Sequence, residues 1–317
     1  MKVRITHKFE VARDISAFEL ADPDGAALPA FAAGAHIDVQ LGNGLTRQYS
    51  LCNSPSERHR YLIGVLRDPA SRGGSVAMHA LREGALVEIG EPKNHFPLSP
   101  DATRSILVAG GIGVTPILCM AERLAHTGAS FELHYCTREP ERAAFRERLS
   151  EPHLNAQTRL YFDNGPFVER IDLPKVLGNP EPGKHLYVCG PGGFIESVLD
   201  HARQLGWHGA NVHREYFTAA PANGDTDKDA PFQVKLAKSG RIIDVGAEQT
   251  VVKALDEAGV MVATSCEEGV CGTCLTRVLS GEPDHRDLYL TEDERCANDQ
   301  FLPCCSRSKS PMLVLDL

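Results

Sequence analysis

The chain opens on short runs in which apolar and polar positions alternate: Val3/Ile5/Phe9/Val11, Ile37/Val39/Leu41, Tyr61/Ile63/Val65, and Leu86 with Val87/Ile89. A period of two puts every second side chain on one face, so each run predicts a half-buried strand. Turn-forming groups separate the runs, among them Asp22-Pro23-Asp24-Gly25 and Gly42-Asn43-Gly44. Several short strands at this spacing predict an antiparallel barrel over residues 1–98. From Ser105 the texture changes. Continuous apolar runs (Ile106-Leu107-Val108-Ala109, Leu133 to Cys136, His185 to Cys189) alternate with helical patterns such as Ile117/Met120/Leu124 and Ile195/Val198/Ala202/Leu205. Strand, glycine loop and helix in repetition predict a parallel α/β domain over 99–220.

Residues 221–230 hold no large apolar side chain and read as an exposed linker. Beyond them, Phe232/Val234/Leu236, a Ser239-Gly240 turn and Ile242/Val245 predict a hairpin, followed by a helix near Thr250 to Ala258 and a Cys-rich loop. A third domain therefore occupies 231–317.

At 317 residues, 42% apolar and 24% charged, the composition is that of a soluble protein of two or three domains. No run approaches the ~20 apolar residues that span a bilayer, and MKVRITHKFE alternates where a signal sequence would be apolar. The expectation is a cytoplasmic chain without a membrane partner. A net charge of −9 argues against a nucleic-acid surface. Ten cysteines in a reducing compartment point to metal or redox chemistry before disulfides.

Cys266, Cys271 and Cys274 follow the spacing C-x4-C-x2-C, and Cys304 comes 29 residues later. This is the plant-type [2Fe-2S] pattern, in which four thiolates serve two irons. Gly269 and Gly272 let such a loop curl with its amides turned toward the sulfurs. Structural zinc is the alternative, although zinc usually takes two short Cys-x2-Cys knuckles and the chain has one. Cys305, beside Cys304, is the other candidate for fourth ligand. Cys52, Cys119, Cys136 and Cys296 read as packing residues.

Two glycine loops each lie between a strand and a helix. The first holds Gly110, Gly111 and Gly113 and runs into Thr115-Pro116; the second is Cys189-Gly190-Pro191-Gly192-Gly193. Either alone fits a plain strand-to-helix turn. Two on one parallel sheet open at the same edge, where dinucleotide pyrophosphates bind. Between them Thr137-Arg138-Glu139 ends a strand where an adenosine ribose is normally held. Glu139 suits the ribose hydroxyls, Arg138 a 2′-phosphate, and the spacing does not choose between them.

Arg47-Gln48-Tyr49-Ser50 lies on a predicted strand. In a flavin site an arginine forks onto phosphate, an aromatic covers the ring and a hydroxyl reaches a ring nitrogen, but a surface strand explains the tetrad as well. Arg72-Gly73-Gly74-Ser75 before a short helical run is a second phosphate cradle.

Taken in order, Arg47-x-Tyr49-Ser50-Leu51-Cys52-Asn53, Gly73-Gly74-Ser75, Glu91 to Leu98, the Gly110 loop, Cys189-Gly190-Pro191 and the cysteine spacing resemble the phthalate dioxygenase reductase family over nearly the whole chain. The resemblance implies an FMN-binding barrel, a ferredoxin-reductase-type NAD domain and a C-terminal β-grasp ferredoxin. It further implies that Arg47, Gln48, Tyr49, Ser50, Val65 and Leu66 contact the flavin, with Gly73, Gly74 and Ser75 on its phosphate. Thr115 would face flavin and nicotinamide, Cys189 would lie near the nicotinamide, and Glu215 and Phe217 would close the domain against the flavin.

NADH gives up two electrons as a hydride and a [2Fe-2S] cluster accepts one, so a flavin between them is chemically required. The expected function, as the resemblance implies, is the reductase component of an oxygenase system, with no catalytic side chain of its own, passing electrons to a separate terminal oxygenase of Rieske type. That oxygenase recognises the substrate, aromatic or small and polar, and aromatic-compound catabolism is the expected setting. The chain is expected to be a monomer. From 231 to 317 it carries 14 acidic against nine basic side chains, which suits docking to a basic patch and ordinary solubility alike. Two rival classes stay open: an electron-transfer subunit of dihydroorotate-dehydrogenase type, which would have a shorter final cysteine spacing, and a non-catalytic redox sensor, against which the paired glycine loops argue.

Overall fold

The computed structural model describes every residue except Asn43, Gly44, Ala70, Arg72, 165–168 and 219–228. The expected linker thus lies outside the described residues up to 228, as do the tip of the Gly42 turn and Arg72. The chain divides into two compact units, Met1–Phe217 and Thr218–Leu317.

The first unit begins with six antiparallel strands: β1 (Lys2–Ala12), β2 (Ile15–Ala21), β3 (His36–Gln40), β4 (Thr46–Ser50), β5 (Tyr61–Leu66) and β6 (Leu86–Ile89). Their order is β4-β3-β6-β1-β2-β5, and a bridge from Leu51 to Ile63 joins the two edges into a barrel. Val3, Ile5, Phe18, Ile37, Val39, Ile63, Val87 and Ile89 fill it. The alternation in β1 does not run through as its sequence suggests, because Phe9 is 45% exposed. The register against β2 slips by one residue between Ile5 and His7. Such a bulge exchanges the two faces of the strand beyond it.

Five parallel strands follow: β7 (Arg104–Gly110), β8 (Ser130–Thr137), β9 (Thr158–Phe162), β10 (Lys184–Cys189) and β11 (Val212–Glu215), in the order β11-β10-β7-β8-β9. The order reverses between β7 and β10, and at such a point the loops after neighbouring strands lead to opposite faces and leave a crevice. Barrel and parallel sheet share one apolar interior, in which Ala17, Leu62 and Phe96 pack with Val114, Leu118 and Phe145. Gly64 on β5 makes the approach possible. A Cβ there would stand 2.9 Å from the Thr115 methyl and 3.1 Å from the Phe145 ring.

The second unit holds β12 (Phe232–Leu236), β13 (Ile242–Val245), β14 (Thr276–Ser280), β15 (Pro283–Asp284), β16 (Gln300–Phe301), β17 (Arg307–Ser308) and β18 (Met312–Leu315). The mixed sheet β13-β12-β18-β14-β16 pairs β12 parallel with β18 and antiparallel with β13. The helix Val251–Glu257, capped by the Thr250 hydroxyl, lays Val251, Ala254 and Leu255 on the sheet, which is a β-grasp arrangement. Among the described residues no helix is long and apolar enough to cross a membrane.

Candidate functional site

On the barrel, β4 presents Arg47, Gln48 and Tyr49 half-buried and ends in the buried Ser50. The absence of a side chain at Gly74 makes room for Arg47, since a Cβ there would come within 2.6 Å of its Nε. Arginine and the Gly73-Gly74-Ser75 turn therefore face one spot. Ser75 Oγ accepts the Asp68 N–H at 3.2 Å. Gln48 sets its amide nitrogen 3.2 Å from His36 Nε2. Burial pushes the Tyr49 hydroxyl up to about 12, against the pull of Arg47, so it stays neutral. The Val65 carbonyl is held at 2.9 Å by His79 Nε2, and Leu66 follows it at the half-buried end of β5.

The two glycine loops meet at the carboxyl ends of β7 and β10. A Cβ on Gly190 would lie 3.0 Å from the Gly110 Cα, and one on Gly113 would lie 2.3 Å from the Cys189 carbonyl oxygen. Gly111 takes the left-handed region at φ +52°. The loops are thus in backbone contact, with Phe194 covering Gly110 and Gly190 and Pro191 beside Gly110. Thr115 and Pro116 are buried in the first turn of the helix Val114–Thr127, where the Thr115 hydroxyl donates to the Ile112 carbonyl at 3.0 Å.

Cys189 pairs with Glu215 across β10 and β11. Burial, with Glu215 adding to it, drives the Cys189 thiol well up, so it is no thiolate nucleophile. Burial also raises the Glu215 carboxyl to about 8, and Ser50 Oγ donates to it at 3.4 Å. The ends of β4 and β11 are joined by this bond. Phe217, two residues on, is 37% exposed.

At the end of β8 the Thr137 hydroxyl donates to the Glu139 carbonyl at 3.0 Å, and Arg138 is exposed. The Glu139 carboxylate is engaged by Arg13 from the β1–β2 turn, 2.8 Å away. Motif reading had no access to this pair, which joins residues 126 apart in the chain.

In the second unit Cys266 lies against Cys271 and Cys304, and Cys304 against Cys274. The Cys271 and Cys304 thiols, helped by the Glu268 and Val270 amides, push the Cys266 thiol down, while its partners are driven up. Cys271, Cys266, Cys304 and Cys274 thus form one chain of sulfur contacts, and four thiolates are the number that a [2Fe-2S] cluster takes. The loop is shaped to hold them: Gly269 and Gly272 have φ of +75° and +72°, and a Cβ on either would come within 2.4 Å of Cys305 Sγ or the Tyr289 ring respectively. Cys305 faces Gly269, lies against Cys304 and sets its Sγ 3.7 Å from the Leu302 carbonyl, whereas Cys304 is the one that lies against both Cys266 and Cys274. Leu290 and Leu302 pack with Cys274 and Cys304. Behind Gly269 sits Asp287, which sequence reading passed over as one more acidic residue.

Known proteins give the same reading. Residues 234–309 match the 2Fe-2S iron-sulfur cluster binding domain family, and residues 93–212 match the N-terminal domain of dimethylamine monooxygenase subunit DmmA-like proteins. The chain is 55% identical to a vanillate O-demethylase oxidoreductase of Pseudomonas putida, covering 99% of this chain and 98% of the relative. It is 42% identical to a phthalate dioxygenase reductase of Burkholderia cepacia, covering 100% and 97%. A solved structure titled as phthalate dioxygenase reductase, a modular structure for electron transfer from pyridine nucleotides to [2Fe-2S], superposes with a TM-score of 0.75 at 42% identity over 100% of this chain and 98% of its own. With full-length identity of this order, and with barrel, paired glycine loops and cysteine loop following one another as described, the chain belongs to the phthalate dioxygenase reductase family.

Proposed function

We propose that this chain is the NADH-dependent reductase component of an oxygenase system, carrying electrons through FMN and a [2Fe-2S] cluster to a separate terminal oxygenase. The observation that carries the reading is the presence of a dinucleotide-type double glycine loop and a four-cysteine cradle in one chain, with a barrel sharing the interior of the glycine-loop domain. The division of labour follows the barrel at 1–98, the nucleotide domain at 99–220, a linker at 221–230 and the ferredoxin domain at 231–317. When bound, FMN supplies the conversion between a two-electron hydride donor and a one-electron cluster.

The chain's own residues bind and orient. Arg47 and the Gly73-Gly74-Ser75 turn hold the FMN phosphate, and Gln48, Tyr49, Ser50, Val65 and Leu66 hold the ring, with Tyr49 kept neutral by burial. Gly110, Gly113 and Gly190 let the two loops lie in backbone contact, Gly111 supplies the left-handed turn and Pro191 flanks Gly110, so that the glycine amides are left for the pyrophosphate. Thr115, Pro116 and Cys189 shape the nicotinamide end as an apolar wall. Thr137, Arg138 and Glu139 serve the ribose end. Glu215, held protonated by burial beside Ser50, keeps the junction free of a buried charge, and together with Phe217 it closes the domain against the flavin. Cys266, Cys271, Cys274 and Cys304 hold the two irons. The partner is an oxygenase of Rieske type acting on an aromatic substrate, and the reductase works as a cytoplasmic monomer.

Acid release of flavin should yield FMN at one per chain. Anaerobic NADH titration should bleach the flavin band and raise a [2Fe-2S] EPR signal. Recovery of FAD overturns the flavin assignment, and a protein whose cluster stays oxidised under NADH is not such a reductase.

A further inference from the structure

Among the described residues, Asp287 is the most deeply buried acid of the second unit. Its side chain is 0% exposed. Oδ2 accepts the N–H groups of Tyr289 at 3.2 Å and Leu290 at 2.8 Å, and Oδ1 accepts the Ser306 hydroxyl at 3.5 Å. These bonds tie together two segments that pack on the cysteines. Leu290 lies with Cys274 and Cys304, the Tyr289 ring fills the space left by Gly272, and Ser306 is two residues past Cys304. The next residue, Leu288, donates to the Gly269 carbonyl at 3.0 Å, and Asp287 itself lies where a Gly269 side chain would be. Asp287 is therefore built into the floor of the cysteine loop.

The charge around it is sparse. Arg295, from the helix Glu292–Ala297, stands 3.7 Å from Oδ2 and donates to the Asp287 carbonyl. His285 Nδ1 stands 3.7 Å from Oδ1, too far for a hydrogen bond, and neither of its ring nitrogens has a hydrogen-bond partner. A buried carboxylate interacts strongly with any charge nearby, because the surrounding dielectric is low. Reducing a cluster adds one electron, and a fixed negative charge behind the loop opposes that addition.

We propose that Asp287 is a positioning residue of the cluster whose buried carboxylate, offset by Arg295, sets how strongly reducing that cluster is. The inference rests on the cluster reading above. Asn at 287 can keep every one of these bonds, with Oδ1 toward the two amides and Nδ2 toward Ser306, while removing the charge.

The test is EPR-monitored redox titration of the full-length holoprotein. Asp287→Asn should keep wild-type iron content and line shape, yet at the wild-type midpoint its reduced-to-oxidised ratio should rise about tenfold, which is about 59 mV for one electron. Arg295→Met should move the midpoint the other way. An intact cluster with an unshifted midpoint in Asp287→Asn overturns the proposal. Should that variant lose its cluster, Arg295→Met decides: a lowered midpoint supports the proposal and an unchanged one overturns it. A wild-type protein without the [2Fe-2S] signal would instead defeat the cluster reading beneath it.

Discussion

Ser50 at the end of β4 donates to the buried carboxyl of Glu215 at the end of β11, 165 residues away, at 3.4 Å. The bond joins the edge strand of the barrel to the edge of the parallel sheet. Burial holds Glu215 protonated up to a pKa of about 8, whereas an unfolded chain would ionise it near 4.5. Its contribution to stability is therefore full below pH 4.5 and declines as pH rises toward 8. Glu215→Gln should flatten the fall in stability of the first unit between pH 5 and 8, read by chemical denaturation across that range. An unchanged slope would mean that the carboxyl is solvated.

Cys271→Ser should cost the cluster and leave flavin in place, because the first unit has its own core. NADH reduction of ferricyanide should survive, while cytochrome c reduction should drop by tenfold or more. Arg47→Ala should do the reverse, losing flavin and all NADH-dependent activity while an EPR signal persists after chemical reduction. Cys305→Ser should keep the cluster, since Cys304 is the one that lies against both Cys266 and Cys274. Full cytochrome c reduction by the Cys271 variant would break the proposed electron path.

Gly190→Ala places a methyl 2.9 Å from the Phe194 ring and 3.0 Å from the Gly110 Cα. The two loops must part to admit it. The kcat/KM for NADH should fall about tenfold or more with flavin content unchanged, and a wild-type value would show that the crevice between the loops is not the pyrophosphate site.

The Arg13–Glu139 pair is partly exposed and adds little to stability, but it partly neutralises the carboxylate that follows β8, the residue proposed for the ribose. Freed of Arg13, Glu139 should repel a 2′-phosphate more strongly. Arg13→Ala should therefore raise the NADH over NADPH ratio of kcat/KM several-fold, and Glu139→Gln should lower it. Parallel shifts in the two variants would remove Glu139 from the ribose site.

What the linear chain determined by itself was local. Period-two alternation marked the barrel strands, strand–glycine–helix repeats marked the parallel sheet, and C-x4-C-x2-C with a distant Cys304 marked the cysteine loop, because each depends on covalent neighbours and backbone freedom. Tertiary structure decided whatever joins residues far apart. The bulge in β1 turns Phe9 outward, since register depends on the partner strand. Arg13 reaches Glu139 because the β1–β2 turn packs against the loop after β8. Glu215 holds its proton because folding removes water from it, and Asp287 stands out among the acids of its domain because folding seals it behind Gly269. Burial and electrostatics follow from the packed surroundings of a group, and no spacing along the chain encodes them.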